Sequence, residues 1–242
     1  MGQDSRERRT LALVMPVYNE EECIIDVVKA WRDEFDRLGI DFTMILLNDG
    51  SKDRTKDKLA TFAGEGRITI INKENSGHGP TILQGYHKAV DLADWVFQTD
   101  SDNEMKPDYF PELWNRRCDY AALFGVRANR KQNIGRRIIS SASRATVRIF
   151  FGSGVADVNT PYRLMRSAAL KQIVAQIPSD TFAPNVLISG MFAASKANIY
   201  NCQVPHEDRK TGSVSIMKWR LWKSAFRSFW QTIRVFRKFK KP

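Results

Sequence analysis

Leu11-Ala12-Leu13-Val14-Met15, followed by Pro16-Val17-Tyr18-Asn19-Glu20, is the stretch whose reading decides the fold. Five apolar residues without polar alternation suit a strand buried on both faces, and such strands belong to parallel sheets covered by helices. A polar turn then opens a helical pattern over residues 20–38. The same unit recurs: an apolar run at 43–47 with a helix from 52, one at 68–71 with a helix from 80, and one at 95–98 with a helix from 107. Strand–helix pairs in such succession predict an α/β domain with a mainly parallel sheet flanked by helices. Beyond them the pattern predicts a short strand at 162–165, a helix at 183–194 and a strand at 198–204.

Ligands of open parallel sheets bind beyond the carboxyl ends of the strands. The residues at those ends are polar: Pro16 to Glu20, Asn48-Asp49-Gly50-Ser51, Asn72 to Gly79, and Asp100-Ser101-Asp102. Asp100 and Asp102 are two positions apart, so both carboxylates can address one hard cation, with Glu104 as a third oxygen donor. An acidic pair at a strand end serves equally well as a turn or helix cap, so the pair alone does not decide. Asp49, with Ser51 and Asp53, reads either as an Asx turn before a capped helix or as an acceptor for a nucleobase or ribose. Asn75-Ser76-Gly77-His78-Gly79 lets backbone approach a ligand and opens a helix whose N-terminus favours phosphate. Neither a P-loop nor a dinucleotide-binding glycine signature is present.

Composition sets the outer limits. With 242 residues, 43% hydrophobic and 27% charged, the chain is an ordinary globular one, neither disordered nor a disulfide scaffold. Cys23, Cys118 and Cys202 form no C-x-x-C pair, and His78, His87 and His206 are too dispersed for a zinc triad. The first ten residues are polar and unlike a secretory signal, which suggests a cytoplasmic setting. The net charge is +11, and residues 209–242 hold eleven of the 38 basic residues and no acid. The excess therefore sits in the C-terminal segment, while a second basic zone accumulates between Arg127 and Arg148.

In order and spacing, four motifs resemble the family 2 inverting glycosyltransferases of GT-A fold: V-M-P-V-Y-N-E at 14–20, N-D-G-S-x-D-x-T at 48–55, N-S-G-H-G-P-x-x-x-x-G at 75–85 and D-S-D at 100–102. G-V-R at 125–127, R-R-I-I-S at 136–140, D-x-N-T-P-Y-R-L at 157–164 and V-P-H-E-D-R-K-T-G-S at 204–213 are most similar to the dolichyl- and polyprenyl-phosphate sugar transferases. The resemblance implies that residues 11–215 form the transferase domain, after a polar tail at 1–10. It implies that Pro16, Tyr18, Glu20, Asp49, Gly79 and Asp100 hold a UDP- or GDP-sugar, and that Asp100, Asp102 and Glu104 hold Mg²⁺ or Mn²⁺ on its diphosphate. Arg127, Arg136, Ser140 and Arg163 then correspond to residues around an acceptor lipid phosphate, with Asp102, Arg163 and Arg209 in catalytic roles. Pro161 and Asn185 depart from the family pattern, which carries a glycine and an acid at these positions, so the acceptor groove is expected to differ in shape. Two other functions remain open on sequence: transfer to a sugar hydroxyl, with Asp157 or Asp180 as base, and a non-catalytic nucleotide-sugar or lipid-binding subunit.

From Met217 to Lys240, aromatic residues including Trp219, Trp222, Phe226 and Trp230 recur at spacings of three and four between basic residues. An acid-free basic amphipathic helix over 216–242 is the pattern of an interfacial membrane helix on an anionic surface. The competing expectation is that its aromatics pack onto the domain, an integral-membrane partner or a second copy. Nucleic acid is not expected, because the basic residues track one helix face and not a groove-reading motif.

Overall fold

The computed structural model describes residues 9–128 and 134–205, together with residues 230, 231, 233, 234 and 236. The four expected strands are β1 (Arg9–Val17), β2 (Phe42–Asp49), β3 (Ile68–Lys73) and β4 (Ala93–Gln98). They alternate with α1 (Ile24–Arg37), α2 (Thr55–Ala60) and α3 (His78–Ala89) and lead into α4 (Phe110–Arg116). Next come β5 (Ala122–Ala128), α5 (Ile134–Phe151), β6 (Arg163–Arg166), α6 (Ser167–Val174), α7 (Pro184–Ala194) and β7 (Ile199–Pro205). The described strands form one seven-stranded sheet of order β3-β2-β1-β4-β6-β5-β7. Only β6 among them runs against its neighbours, antiparallel to both β4 and β5.

The apolar run of β1 is continuous because both faces are covered. Ala12 and Val14 join the core built with α3 and α7, whereas Leu11, Leu13 and Met15 join the one built with α1 and α4. Trp31 of α1 centres the second core, its ring 5.0 Å from that of Phe97 and 5.8 Å from that of Tyr162. Helix α3 approaches the other face closely, since a Cβ on Gly85 would lie 2.4 Å from the Val14 side chain.

Chain order reverses between β1 and β4: β2 and β3 lie on one side of β1, and β4 lies on the other. That reversal splays the loops following β1 and β4 apart and leaves a crevice at their carboxyl ends. Pro16 fits here for a backbone reason. Thr99 N–H donates to the Val14 carbonyl at the end of the β1–β4 ladder. Two residues on, Pro16 faces the same side, where no β4 residue remains to need its missing N–H.

Candidate active site

The loops after β1 and β2 are stitched together by reciprocal hydrogen bonds. Asn19 N–H donates to Ser51 Oγ (3.0 Å), Lys52 N–H to Asn19 Oδ1 (2.8 Å), Glu20 N–H to Thr55 Oγ1 (2.8 Å) and Arg54 N–H to Glu21 Oε2 (2.9 Å). Asn19 adopts a left-handed φ of 54°, a conformation that asparagine tolerates better than most residues. Much of the N-E and D-G-S-x-D-x-T patterns is therefore structural.

Asp49 is likewise engaged. It is 4% exposed, Oδ1 accepts from Lys73 Nζ and Ser76 N–H, and Oδ2 accepts from Gly77 N–H at 2.9 Å. Burial works to raise its pKa, but the Lys73 ammonium and the donors around it prevail and hold it below the ordinary carboxylate value. The carboxylate fixes the 75–77 turn over the N-terminus of α3, and both oxygens are already in use. Gly79 also serves packing: a Cβ there would lie 2.3 Å from the Thr181 carbonyl and 2.4 Å from that of Phe182. Pro16 is buried, Glu20 is 7% exposed, and Tyr18 is half-buried at the crevice.

Asp100, Asp102 and Glu104 line one pocket with Thr99, Met105, Arg127 and Pro161. The D-S-D carboxylates are therefore brought together at the switch point of the sheet, with an arginine on the same wall. Glu104 N–H donates to Asp102 Oδ1 at 3.2 Å, an Asx turn that sets the loop. Asp100 Oδ1 accepts from Gln98 Nε2 at 3.1 Å and lies 3.2 Å from His78 Nε2. Although 30% of its side chain is open, the protein packed around the Asp100 carboxyl pushes its pKa up to about 7, with Arg127 opposing the rise and Glu104 reinforcing it. Among the described residues no cluster of three His, Cys, Asp or Glu side chains is assembled tightly enough to hold an ion alone. Paired oxygen donors beside an open pocket suit a hard divalent cation that takes further ligands from a diphosphate and water.

Arg127, at the end of β5, forms a fork with Asp157: Nε to Oδ2 at 2.7 Å and Nη2 to Oδ1 at 2.9 Å. Pro161, where the family pattern carries a glycine, stands on the pocket wall.

Arg163 corrects the expectation of a phosphate contact. Its side chain is 0% exposed, and its guanidinium donates to the carbonyls of Thr160, Val158 and Asn185. β6 lies inside the sheet between β4 and β5, which draws Arg163 into the core, where it fastens the 158–160 loop to the first turn of α7. The side chains of Arg136 and Ser140, and the whole of Arg209, lie outside the described residues.

A family model for glycosyl transferase family 2 matches residues 12–175. The chain belongs to that family. Among curated proteins, this family 2 chain is 27% identical over 209 residues to the undecaprenyl-phosphate 4-deoxy-4-formamido-L-arabinose transferase of Pectobacterium carotovorum, covering 85% of the chain and 62% of the relative. It is 28% identical over 215 residues to the transferase of the same name from Pseudomonas aeruginosa, covering 87% and 61%. The chain thus spans about three fifths of the length of these relatives. Glucosyl-3-phosphoglycerate synthase from Mycobacterium tuberculosis, crystallised with Mn²⁺, UDP-glucose and phosphoglyceric acid, superposes with a TM-score of 0.70 at 17% identity, over 94% of this chain and 80% of that one. That likeness establishes the shared GT-A fold.

Two contributors to the site escaped the sequence reading. Gln98 closes an apolar strand and was legible only as its last residue, and Lys73 sits among ordinary surface lysines. A polar residue ending a buried run was the one available signal.

Proposed function

We propose that this family 2 chain transfers one sugar, with inversion, from a UDP- or GDP-sugar to a polyprenyl-type lipid phosphate at the cytoplasmic surface of a membrane. The observation that carries the reading is the lining of the pocket, where Asp100, Asp102 and Glu104 stand together with Arg127. A leaving diphosphate suits the carboxylates through a cation, and an incoming phosphate suits the positive charge that Arg127 brings to the same lining. The curated relatives, named as undecaprenyl-phosphate transferases, support the same acceptor class.

Asp100 and Asp102 would hold Mg²⁺ or Mn²⁺, with Glu104 beside them, and the ion when bound neutralises charge growing on the departing diphosphate. An acceptor phosphate oxygen attacks the anomeric carbon from the opposite face; the bond from that carbon to the diphosphate oxygen breaks, and its electron pair leaves with the nucleoside diphosphate. A phosphate is already ionised at neutral pH, so no general base is needed. Asp157 suits that chemistry as a structural partner, since both its oxygens accept from Arg127 and a phosphate acceptor asks no proton transfer of it. Arg136, Ser140 and Arg209 are assigned around the phosphates by motif alone. Tyr18 at the crevice suits the nucleoside.

The membrane surface would be met by 217–242 together with the end of α5. The exposed large apolar side chains among the described residues are Ile149, Phe182 and Trp230. Exposed Arg144, Arg148 and Arg234 accompany them. No described helix is long and apolar enough to cross a bilayer. The deciding experiment incubates the purified protein with Mn²⁺, a panel of nucleotide sugars and short-chain polyprenyl phosphate, and identifies products by mass. A glycosylated lipid phosphate supports the reading, and products only on sugar hydroxyls overturn it.

A further inference from the structure

Behind the pocket, three uncharged side chains from three different elements meet in the core. Tyr86 of α3 is 0% exposed, Gln98 of β4 0% and Asn185 of α7 4%. Tyr86 Oη is 3.2 Å from Asn185 Oδ1 and 3.2 Å from Gln98 Oε1. Asn185 Nδ2 donates to Gln98 Oε1 at 3.0 Å, and Gln98 Nε2 donates to Asp100 Oδ1 at 3.1 Å.

These contacts have one consistent polarity. Both atoms that Tyr86 touches are amide oxygens, so its single hydroxyl proton is shared between them as a donor. Gln98 Oε1 is filled by donors, which leaves the Gln98 amide nitrogen to face Asp100. The chain of donors therefore ends on Asp100 Oδ1. Asn185 is itself held, because Arg163 Nη1 donates to its backbone carbonyl at 3.2 Å. Asp100 Oδ2, by contrast, accepts no hydrogen bond from a described residue, and Asp100 lines the pocket.

We infer that Tyr86, Asn185 and Gln98 form a positioning relay: it holds Asp100 by Oδ1 in a single orientation and so presents Oδ2 to the cation and donor diphosphate. The inference rests on the metal reading of Asp100 and Asp102. It also explains Asn185. An acid at that position would offer Gln98 an acceptor in place of a donor, so the Gln98 amide would turn to it and release Asp100. Outer partners of a metal ligand commonly alter affinity by roughly 10–100-fold when removed.

The test uses the full chain and reads the Mn²⁺ dissociation constant by electron paramagnetic resonance, with UDP or GDP present, beside kcat and KM and thermal unfolding. Tyr86→Phe deletes one hydroxyl and keeps the packing; Gln98→Leu deletes the amide; Asn185→Asp reverses the polarity. The relay predicts Mn²⁺ binding weakened about tenfold or more in Gln98→Leu and Asn185→Asp, and by a smaller factor in Tyr86→Phe, with kcat falling and the acceptor KM steady. Reduced thermal stability with unchanged Mn²⁺ affinity in all three folded variants would mean a packing role only and overturns the relay. Asp102→Ala is the control. If it loses Mn²⁺ while the three variants do not, the relay alone fails; if it retains parental Mn²⁺ affinity, the metal reading fails and takes the relay with it.

Discussion

Asp157 receives both arms of the Arg127 guanidinium, at 2.7 and 2.9 Å, and the pair is largely shielded, with side-chain exposures of 17% and 9%. Arg127 also reaches the Asn159 carbonyl, so it ties β5 to the 157–161 loop that forms the pocket wall. Asp157→Asn should keep kcat within about tenfold of the parent, since removing a general base costs roughly 10²–10⁴-fold. Arg127→Ala should raise the acceptor KM far more than it changes the donor KM. Steady-state kinetics on both variants check this, and a collapse of kcat in Asp157→Asn with Arg127 unaffected would restore the hydroxyl-acceptor reading.

Asp102→Ala should abolish transfer while leaving the fold in place. The side chain is half-buried at the pocket edge and outside the apolar core, and one of its contacts is the neighbouring Glu104 N–H. Turnover, Mn²⁺ binding and circular dichroism on one preparation separate loss of chemistry from loss of structure. Undiminished turnover would remove the metal role.

The sheet was legible because its strands are continuous apolar runs, and the D-S-D pair was legible because strand ends of parallel sheets face ligands. Neither argument reached β5, α5 or α6. The run A-A-L-F-G-V-R suits a strand or a buried helix equally, and what makes it a strand is pairing with β6 and β7, residues far along the chain. Arg163 misled for a related reason: a charged residue suggests a ligand until the sheet order places its strand in the interior. The polar motifs of the first two loops were correctly located, yet Asn19, Ser51, Asp53 and Thr55 turn out to bind the loops to each other.

Asp49 gives a pH dependence with a definite sign. Its folded pKa lies below the ordinary 3.8, so the stability it contributes is present above that value and is lost as pH falls through the lower folded value. Asp49→Asn leaves Lys73 without its buried counter-charge and should cost about 3 kcal/mol at neutral pH. Because the variant lacks the titrating group, its stability should fall less steeply below pH 3.8 than that of the parent. Denaturant midpoints between neutral and strongly acidic pH measure both effects, and parallel acid limbs would count against the assignment.

Gly79 separates packing from ligand contact. Alanine there drives a methyl group against the Thr181 and Phe182 carbonyls, which are backbone atoms, so the 181–182 loop has to retreat. Gly79→Ala should lower stability by about 2 kcal/mol. Gly77, whose φ of 90° is open to space, should lose stability through backbone strain when replaced by alanine, without any such clash. Hydrogen exchange over 178–183 distinguishes them: faster in Gly79→Ala, unchanged in Gly77→Ala.

The described residues of the C-terminal segment include both body contacts and an exposed tryptophan. The Phe236 ring packs 5.2 and 5.1 Å from those of Phe150 and Phe151, and Gln231 brackets the 180–182 loop, accepting from Phe182 N–H and donating to the Asp180 carbonyl. Phe236 is thus a body contact, as the packing expectation has it, whereas Trp230 is 53% exposed and Ile149 on α5 is 76% exposed. If these two face lipid, Trp230→Ser with Ile149→Ser should weaken binding to anionic vesicles at least tenfold while lowering thermal stability less than loss of Phe236 does, since both side chains are largely exposed. Phe236→Ala should do the reverse in part, lowering stability by about 1–2 kcal/mol, less than for a fully buried phenylalanine, as a partly buried aromatic contact is lost. Vesicle sedimentation at low and high salt reads the first effect, because arginine attraction to an anionic surface is screened while apolar insertion is not. Vesicle binding that survives the double substitution and vanishes in salt would assign the contact to charge alone and remove Trp230 and Ile149 from it.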